Sequence, residues 1–254
     1  PLKRMQYGIC SLSIIPVYES PDTASGMVTQ LLYGEVFKIL ESRKHWSRIR
    51  LHLDQSEGWV SNTQLKFIEE GHYQDLSDSI AYGCTSDPIS DMVTKEGLLL
   101  PVPLGSSAAS ATTLNHQHEG AIFSSGSTKE ELVQTALMFL NSPELKGGRS
   151  PFGIDASGLS QLVYKTLGVL LKRQPDDQAL QGTPLSFIEE SEPGDLAFFD
   201  GPDGVINHVG IIMGDNYLVH CHGKVRVDRL DHTGIFNADL RIYTHSLRVI
   251  VKVL

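Results

Sequence analysis

The chain has 254 residues, of which 41% are hydrophobic and 20% are charged, and its formal net charge is −9. This composition is ordinary for a globular protein, and the length allows one large domain or two to three small ones. The acidic balance argues against a general binder of nucleic acid or of anionic membranes, because both functions need a basic surface.

The three cysteines, Cys10, Cys84 and Cys221, are far apart and odd in number. They form no CxxC pair, so neither a zinc or redox motif nor a disulfide framework is indicated, and we expect no cofactor. The longest apolar run, "GLLLPVPL" at 97–104, is too short to cross a bilayer, so we expect no membrane insertion. No basic and then apolar signal peptide opens the chain, which favours a cytoplasmic protein; a mature periplasmic or extracellular chain would look the same.

Residues 5–69 read as short strands with turn signals at intervals of roughly 8–12 residues, as in small barrels. The stretches "VYESPDTASGMVTQLLYGE", "WSRIRL" and "EGWVSNTQL" together resemble a bacterial SH3 (SH3b) domain, in which Gly-Trp-Val lies near the end of the barrel. We therefore expect Trp46 and Trp59 to lie in the core or rim of a barrel rather than to anchor a ligand.

Residues 70–127 alternate strand-like pieces with loops, and we predict a second, reduced SH3b-like domain there. His116 and His118 in this region have the spacing of a metal pair. Because no third ligand is near them in sequence, a solvated loop is the better interpretation.

From residue 128 the pattern changes to helix and then sheet. The stretch "STKEELVQTALMFLNS" predicts a helix with Ser127 or Thr128 as its N-cap, and a second helix is predicted from about 156 to 168. Strands follow at 194–200, 208–214, 216–223, 224–230 and 248–254. Helices followed by an antiparallel sheet predict an α+β domain over 128–254.

The helix start "GIDASGLSQ" has the form of a nucleophile site, because a helix N-terminus favours a thiolate or an oxyanion. Two histidines, His208 and His220, lie on strands joined by the short "GDN" turn, which can place them side by side as a base and its orienting group. The position expected for the nucleophile is Ala156, which has no reactive atom. Cys221 is adjacent to His220 on a strand and so points to the opposite face, which predicts an inert buried thiol rather than a substitute nucleophile.

The stretches "GGRSPFGIDASGLSQLVYK", "ESEPGDLAFFD" and "NHVGIIMGDNYLVHCHGKVRVDRL" resemble, in order and spacing, the NlpC/P60 family of peptidoglycan endopeptidases. The resemblance implies a papain-like α+β fold preceded by one or two small SH3b-like barrels, and cleavage of γ-D-glutamyl–L-diamino acid bonds in cell-wall peptides. Carried over, it makes Ala156 the nucleophile position, His208 the base and His220 the orienting residue. Asp155 and Ser157 correspond to residues that help to bind the peptide.

The sequence also departs from the family pattern near this site. Where the family reads roughly "PYLWGG", this chain has "PELKGG", with Glu144 and Lys146 at the aromatic positions. In "RQPDD", Gln174 occupies the place of an aspartate that helps to hold the peptide amine. Together with Ala156, these departures favour natural loss of the nucleophile over a designed substitution.

Three hypotheses follow. The chain is a natural pseudoenzyme that binds a cell-wall peptide or a protein partner, an active cysteine endopeptidase carrying a nucleophile-to-alanine substitution, or a protein with a repurposed histidine-rich metal site. In the third case His208, His220 and His222 would surround the vacated thiol position and could bind zinc, although the sequence identifies no carboxylate to support them. The sequence leaves the oligomeric state open.

Overall fold

The computed structural model describes residues 5–79, 83–123 and 128–254. The chain divides into two compact units, of which the first comprises residues 1–126, 146–151 and 165–170, and the second comprises residues 127–145, 152–164 and 171–254. The domain limits 5–69, 70–127 and 128–254 remain predictions. No helix within the described ranges is long and apolar enough to cross a membrane.

The first unit consists mainly of short antiparallel strands. Its strands are β1 (Gln6–Ile9), β2 (Ile14–Tyr18), β3 (Met27–Leu32), β4 (Val36–Ser42), β5 (Trp46–Leu51), β6 (Glu57–Ser61), β7 (Lys66–Ile68), β8 (Ile89–Val93), β9 (Leu99–Pro103), β10 (Gln117–Glu119) and β11 (Arg149–Ser150). Its helices are α1 (Glu70–Asp78) and α2 (Ala111–Leu114).

The first seven strands form one sheet in the order β3-β2-β6-β5-β4-β1-β7. Alternate residues of these strands point inward, as the period of two in a strand requires. The resulting core consists of Cys10, Ile15, Val17, Leu31, Phe37, Ile39, Ile49, Leu51 and Val60. Trp59 is buried, with the Arg43 guanidinium 4.2 Å from its ring centre, and Trp46 is half-buried. Because Val60 and Ile49 point into the core, the alternation along β6 and β5 puts Trp59 and Trp46 on the opposite, outer face of the sheet. The expectation of a core position is therefore wrong, and the absence of a ligand role stays a prediction.

The described part of 70–127 contains α1, the three-stranded sheet β10-β8-β9 and α2. Interpreting this segment as a second barrel remains a prediction. The loop prediction is wrong for His118, which lies in β10 opposite Met92 of β8. His116 contacts Tyr33 instead of a second ligand: its Nδ1 lies 2.9 Å from the Tyr33 hydroxyl.

A cluster of charged side chains lies inside the first unit. The carboxylate of Glu35 accepts hydrogen bonds from the Arg149 guanidinium (2.9 Å to each oxygen), the Lys165 ammonium (2.8 Å) and the Leu32 N–H (3.0 Å). All three charged side chains are essentially fully buried. Lys165 also donates to the carbonyl oxygen of Gly105 (2.9 Å). The two cations keep a carboxylate ionised in a place that water does not reach.

The second unit combines three helices with a closed sheet. Its helices are α3 (Lys129–Leu137), α4 (Ala156–Lys165) and α5 (Pro175–Gln178), and the last residue of α4 belongs to the first unit. Its strands are β12 (Gly153–Ile154), β13 (Thr183–Pro184), β14 (Leu196–Asp200), β15 (Ile206–Gly214), β16 (Tyr217–His222), β17 (Lys224–Leu230), β18 (Gly234–Asn237) and β19 (Ile242–Lys252).

The strand order is β13-β19-β14-β15-β16-β17-β18, and β18 also pairs with β19. This extra pairing closes a six-stranded barrel, whose core consists of Ala197, Phe199, Ile212, Leu218, Leu230, Ile235 and Ile250. The predicted α+β class is confirmed. The four strands predicted between 194 and 230 are present with ends within two residues of the expectation, whereas β18 was not predicted and β19 begins at Ile242 rather than Arg248. At the start of α3, Thr128 is the N-cap, in a reciprocal pair with Glu131, and Ser127, the other candidate, lies outside the described residues.

Candidate active site

The N-terminus of α4 carries the residue expected to be the nucleophile. Asp155 caps this helix: its backbone carbonyl accepts from Leu159 N–H (2.9 Å) and its Oδ1 accepts from Gly158 N–H (2.7 Å). Ala156 is the first helical residue and is half-buried. A group at this position lies beside the positive end of the helix dipole, where a thiolate or an oxyanion would be stabilised. The methyl group of alanine makes no use of that field.

Both residues that flank Ala156 are bound to one buried arginine. Arg173, which is 3% exposed, donates through one terminal nitrogen to Asp155 Oδ2 (2.7 Å) and through the other to Ser157 Oγ (2.9 Å). The structure thus connects the predicted peptide-binding residues to a side chain that the sequence analysis overlooked. The sequence does contain a signal for this contact, namely the arginine directly before Gln174. Only a guanidinium carries two parallel donors that can bind the Asp155 and Ser157 side chains at once.

The other two predicted binding residues are at the surface. Gln174 is exposed and is the N-cap residue of α5, although its side chain makes no capping hydrogen bond. Glu144 is exposed, and its carboxylate accepts a hydrogen bond from Gly223 N–H (2.6 Å) in the turn between β16 and β17. The chain passes that turn with φ +71° at Gly223, a conformation that favours glycine.

Three polar side chains on neighbouring strands form a buried relay. His208 on β15, His220 on β16 and Asp228 on β17 share one face of the sheet, because Gly210 pairs with His220, and His220 pairs with Arg226. His208 Nε2 lies 2.9 Å from His220 Nδ1, and His220 Nε2 lies 2.9 Å from Asp228 Oδ2. The two predicted histidines therefore meet as expected, and Asp228 is a third member that was not predicted.

The partners determine where the protons of the relay lie. Burial raises the pKa of Asp228, but hydrogen bonds from His220 and Arg226 outweigh burial and hold it below its usual value. The ionised carboxylate only accepts, so His220 Nε2 donates to it. Burial lowers the pKa values of both histidines, and neighbouring imidazoles lower that of His208 further. With both rings neutral, His220 Nδ1 accepts from His208 Nε2–H, which leaves the lone pair of His208 on Nδ1.

That lone pair gives the relay its chemical capability. Nε2 of His208 is held by His220, which is itself held by the carboxylate of Asp228. A neutral imidazole held in this way is oriented to act as a general base through its other nitrogen. Among the described residues, no hydrogen bond occupies Nδ1 of His208. The unit therefore supplies a base and its orienting groups.

Two further histidines surround the relay. His245 on β19 stacks on His208 with ring centres 4.0 Å apart, and His222 lies edge-on to His245 at 4.9 Å. Burial, followed by the charges of His220 and His222, lowers the pKa of His245 to about 4. The sequence pattern does not indicate His245, because it predicts a last strand that begins three residues beyond this position. Gly234 allows the contact between β18 and β19, since a Cβ there would overlap the carbonyl oxygen of His245.

Cys221 is not placed to act as a nucleophile beside the relay. Its thiol points away from the relay and donates to the carbonyl oxygen of Ile154 (3.2 Å). Burial, with the charges of Glu144 and Asp155, raises its pKa to about 12. As predicted, it is a buried and unreactive thiol, and Cys10 and Cys84 are buried too. The contact with Ile154 also shows that the segment entering α4 packs against β16, the strand that carries His220.

Known protein families match both halves of the chain. The model of the "Bacterial dipeptidyl-peptidase Sh3 domain" family matches residues 17–65, and the model of the "NlpC/P60 family" matches residues 145–243. The second range contains Ala156, His208 and His220 and ends two residues before His245.

Individual relatives agree with this assignment. "Dipeptidyl-peptidase 6" of Lysinibacillus sphaericus is 27% identical over 250 residues, which cover 85% of this chain and 88% of the relative. "Gamma-D-glutamyl-L-lysine dipeptidyl-peptidase" of Bacillus subtilis is 25% identical, covering 86% of this chain and 77% of its own length.

The fold is shared with a solved structure. An NlpC/P60 family protein from Bacillus cereus superimposes with a TM-score of 0.75 and 17% identity, over 98% of this chain and 99% of that one. This confirms the predicted SH3b and papain-like architecture. The chain thus joins a bacterial SH3 domain at 17–65 to a domain of the NlpC/P60 peptidoglycan endopeptidase family at 145–243.

Proposed function

We propose that this protein binds a γ-D-glutamyl–diamino acid peptide derived from the bacterial cell wall and does not cleave it by cysteine chemistry. The observation that carries the proposal is Ala156 at the first position of α4. No base can activate a methyl group, so the steps of thiolate attack, thioester formation and hydrolysis have no starting point. The three buried cysteines offer no replacement.

The polar arrangement around this position favours a retained binding site. Asp155 and Ser157 are held by buried Arg173, and His208 has a nitrogen directed away from its hydrogen-bonded partner. Even when its members are hydrogen-bonded, a buried relay of two imidazoles and a carboxylate often stabilises a core less than apolar side chains of the same volume would. A ligand that contacts His208 would account for its maintenance.

The names of the relatives suggest the ligand. The Bacillus subtilis protein is named for the γ-D-glutamyl-L-lysine bond, and the same linkage in a soluble peptide is our first candidate.

Restoring the nucleophile tests the proposal most directly. We expect the wild-type chain to leave L-Ala-γ-D-Glu-L-Lys intact and Ala156→Cys to cleave it, with a rate at least about 1,000-fold above wild type, because loss of a nucleophile removes at least that much activity. Chromatography of the products measures this. Ala156→Cys combined with Cys221→Ser is the matched control and should be as active as Ala156→Cys. Cleavage by the wild-type chain would overturn the proposal.

Calorimetry tests binding separately. The wild-type chain should bind the γ-linked peptide at least about tenfold more tightly than the isomer linked through the α-carboxyl, a difference of roughly 1.4 kcal/mol. Binding of neither peptide by a folded chain would reject the peptide ligand and favour a protein partner.

A further inference from the structure

The cluster of His208, His220 and His245 contains one more histidine than the two that the relay uses. His208, His220 and His245 each offer a ring nitrogen, and these three atoms lie within 4.8 Å of one another. The proposed function uses the first two residues and leaves His245 without a role. Two of the three are buried and the third is half-buried, so the three nitrogens converge in a protected place.

We infer that His208, His220 and His245 form a binding site for a divalent transition-metal ion such as Zn²⁺. Three imidazoles with an open fourth position are a common zinc ligand set, and imidazole suits zinc, copper and nickel alike. This set differs from the one expected from the sequence, in which His222 and not His245 completed the site.

The available nitrogens identify the donor atoms. His245 Nδ1 is 2.9 Å from Thr244 Oγ1, which leaves Nε2 of that ring as the metal donor. His208 Nε2 and His220 Nδ1 already face each other at 2.9 Å. Zinc–nitrogen bonds of about 2.0–2.1 Å in a tetrahedron separate two donors by roughly 3.4 Å. Metal entry therefore moves these two atoms apart by about half an ångström.

A carboxylate supports the site from behind. Asp228 Oδ2 lies 2.9 Å from His220 Nε2, so the second nitrogen of that ligand is held by an acid. Arg226 in turn holds Asp228 through contacts of 2.6 and 3.0 Å. The carboxylate–histidine–metal arrangement fixes the tautomer and raises the basicity of the ligating nitrogen. The sequence alone does not indicate this carboxylate.

Metal binding and the base role exclude each other. In the relay, His208 donates from Nε2 and carries its lone pair on Nδ1; to ligate through Nε2 it must move that proton to Nδ1. Proton number is conserved in this change, and the lone pair that would act as base becomes the metal bond. A chain with bound metal thus has an open coordination position for water or a peptide carboxylate in place of a general base.

The experiment uses the full chain without a histidine tag, after removal of bound metal with EDTA. Zinc binding is measured by calorimetry during titration with ZnCl₂, and cobalt binding is measured by visible absorption during titration with CoCl₂. We expect one metal per chain and the absorption of tetrahedral cobalt. His245→Ala should weaken zinc binding at least tenfold, whereas the matched control His222→Ala should change it by less than about threefold. Zinc should raise the melting temperature of wild type and His222→Ala, but not of His245→Ala.

Two further variants distinguish loss of a metal ligand from loss of the fold. His245→Phe keeps a ring to stack on His208 and removes the donor, so it should behave as His245→Ala does. Asp228→Asn should weaken zinc binding by about 10–100-fold. The inference is overturned if a folded wild-type chain takes up no stoichiometric zinc or cobalt at micromolar concentration, or if His222→Ala weakens binding as much as His245→Ala. Failure of peptide binding leaves these metal measurements unaffected.

Discussion

Each compact unit buries a cluster of titratable side chains, and the two clusters are built in opposite ways. In the first unit, burial would raise the pKa of Glu35, but Arg149 and Lys165 outweigh burial and lower it to about 2. The carboxylate accepts from both cations and from a backbone N–H, so its oxygens are fully used. The cluster is charged and shielded from water, and both oxygens of its carboxylate are hydrogen-bonded.

In the second unit the corresponding groups are neutral rings and one anchored carboxylate. Burial lowers the pKa of His208 well below its usual value, and Asp228 is the charged end of the chain of hydrogen bonds. The relay ends at His208 Nδ1, where nothing among the described residues accepts or donates. Perturbed pKa values are found in functional sites and in structural ion pairs alike. The two clusters differ because both oxygens of Glu35 are hydrogen-bonded, whereas Nδ1 of His208 has no partner among the described residues. We interpret the first cluster as structural and the second as a binding site.

The largest effect should come from breaking the structural cluster. Arg149→Met removes one cation and leaves Glu35 buried with Lys165 alone, which should lower the free energy of unfolding by about 3–5 kcal/mol. Urea denaturation measures it.

The matched control lies in the same unit at the surface. Arg50 donates to Glu57 at 2.8 Å, and both side chains are substantially exposed. Arg50→Met should therefore cost no more than about 1 kcal/mol. Equal losses in the two variants would show that burial of the Glu35 cluster has no energetic consequence.

Acid should weaken the same cluster. Because the pKa of Glu35 is about 2 in the folded chain and about 4.3 in an unfolded one, the folded state favours the ionised form. Its contribution is complete above the unfolded value and is lost as the pH falls through about 4.3 toward 2, to a total of about 3 kcal/mol. Urea denaturation of wild type and Glu35→Gln over this range measures it. The wild-type advantage should shrink with acid, and a constant difference would contradict the assignment.

In the second unit the expected effects are on activity more than on stability. In the Ala156→Cys background, Asp228→Asn should lower kcat/KM for the peptide by about 10–100-fold, because a neutral amide no longer fixes the tautomer of His220. Asp239→Asn is the matched control: Asp239 also contacts Arg226, at 2.9 Å, but is exposed. It should leave kcat/KM nearly unchanged. Equal losses would mean that Asp228 acts only through Arg226.

The sequence could predict what depends on local pattern. The capping pair of α3, the four strands from 194 to 230 and the meeting of His208 with His220 all follow from short-range periodicity and a tight turn. Asp228 could also have been predicted. The turn at Gly223 sets the register of β16 against β17, and this register puts Asp228 diagonal to His220. The position of His245 could not be predicted, because it depends on the pairing of β19 with β18 that closes the barrel. No local sequence pattern encodes the register of that pairing.

Arg173 is the intermediate case in this comparison, and the smallest effect is expected there. It is buried like the Glu35 cluster, yet two of its partners, Asp155 and Ser157, flank Ala156. Arg173→Lys keeps the charge but can reach only one of Asp155 and Ser157, so it should destabilise the chain by about 1 kcal/mol. The control Arg248→Lys alters an exposed arginine that pairs with the half-buried Asp200 at 3.4 Å, and should have no measurable effect. If Arg173 serves the peptide site as well as the fold, calorimetry will show weaker peptide binding in Arg173→Lys even where the chain is fully folded. Unchanged peptide affinity would place Arg173 with Glu35, as a residue of structure alone.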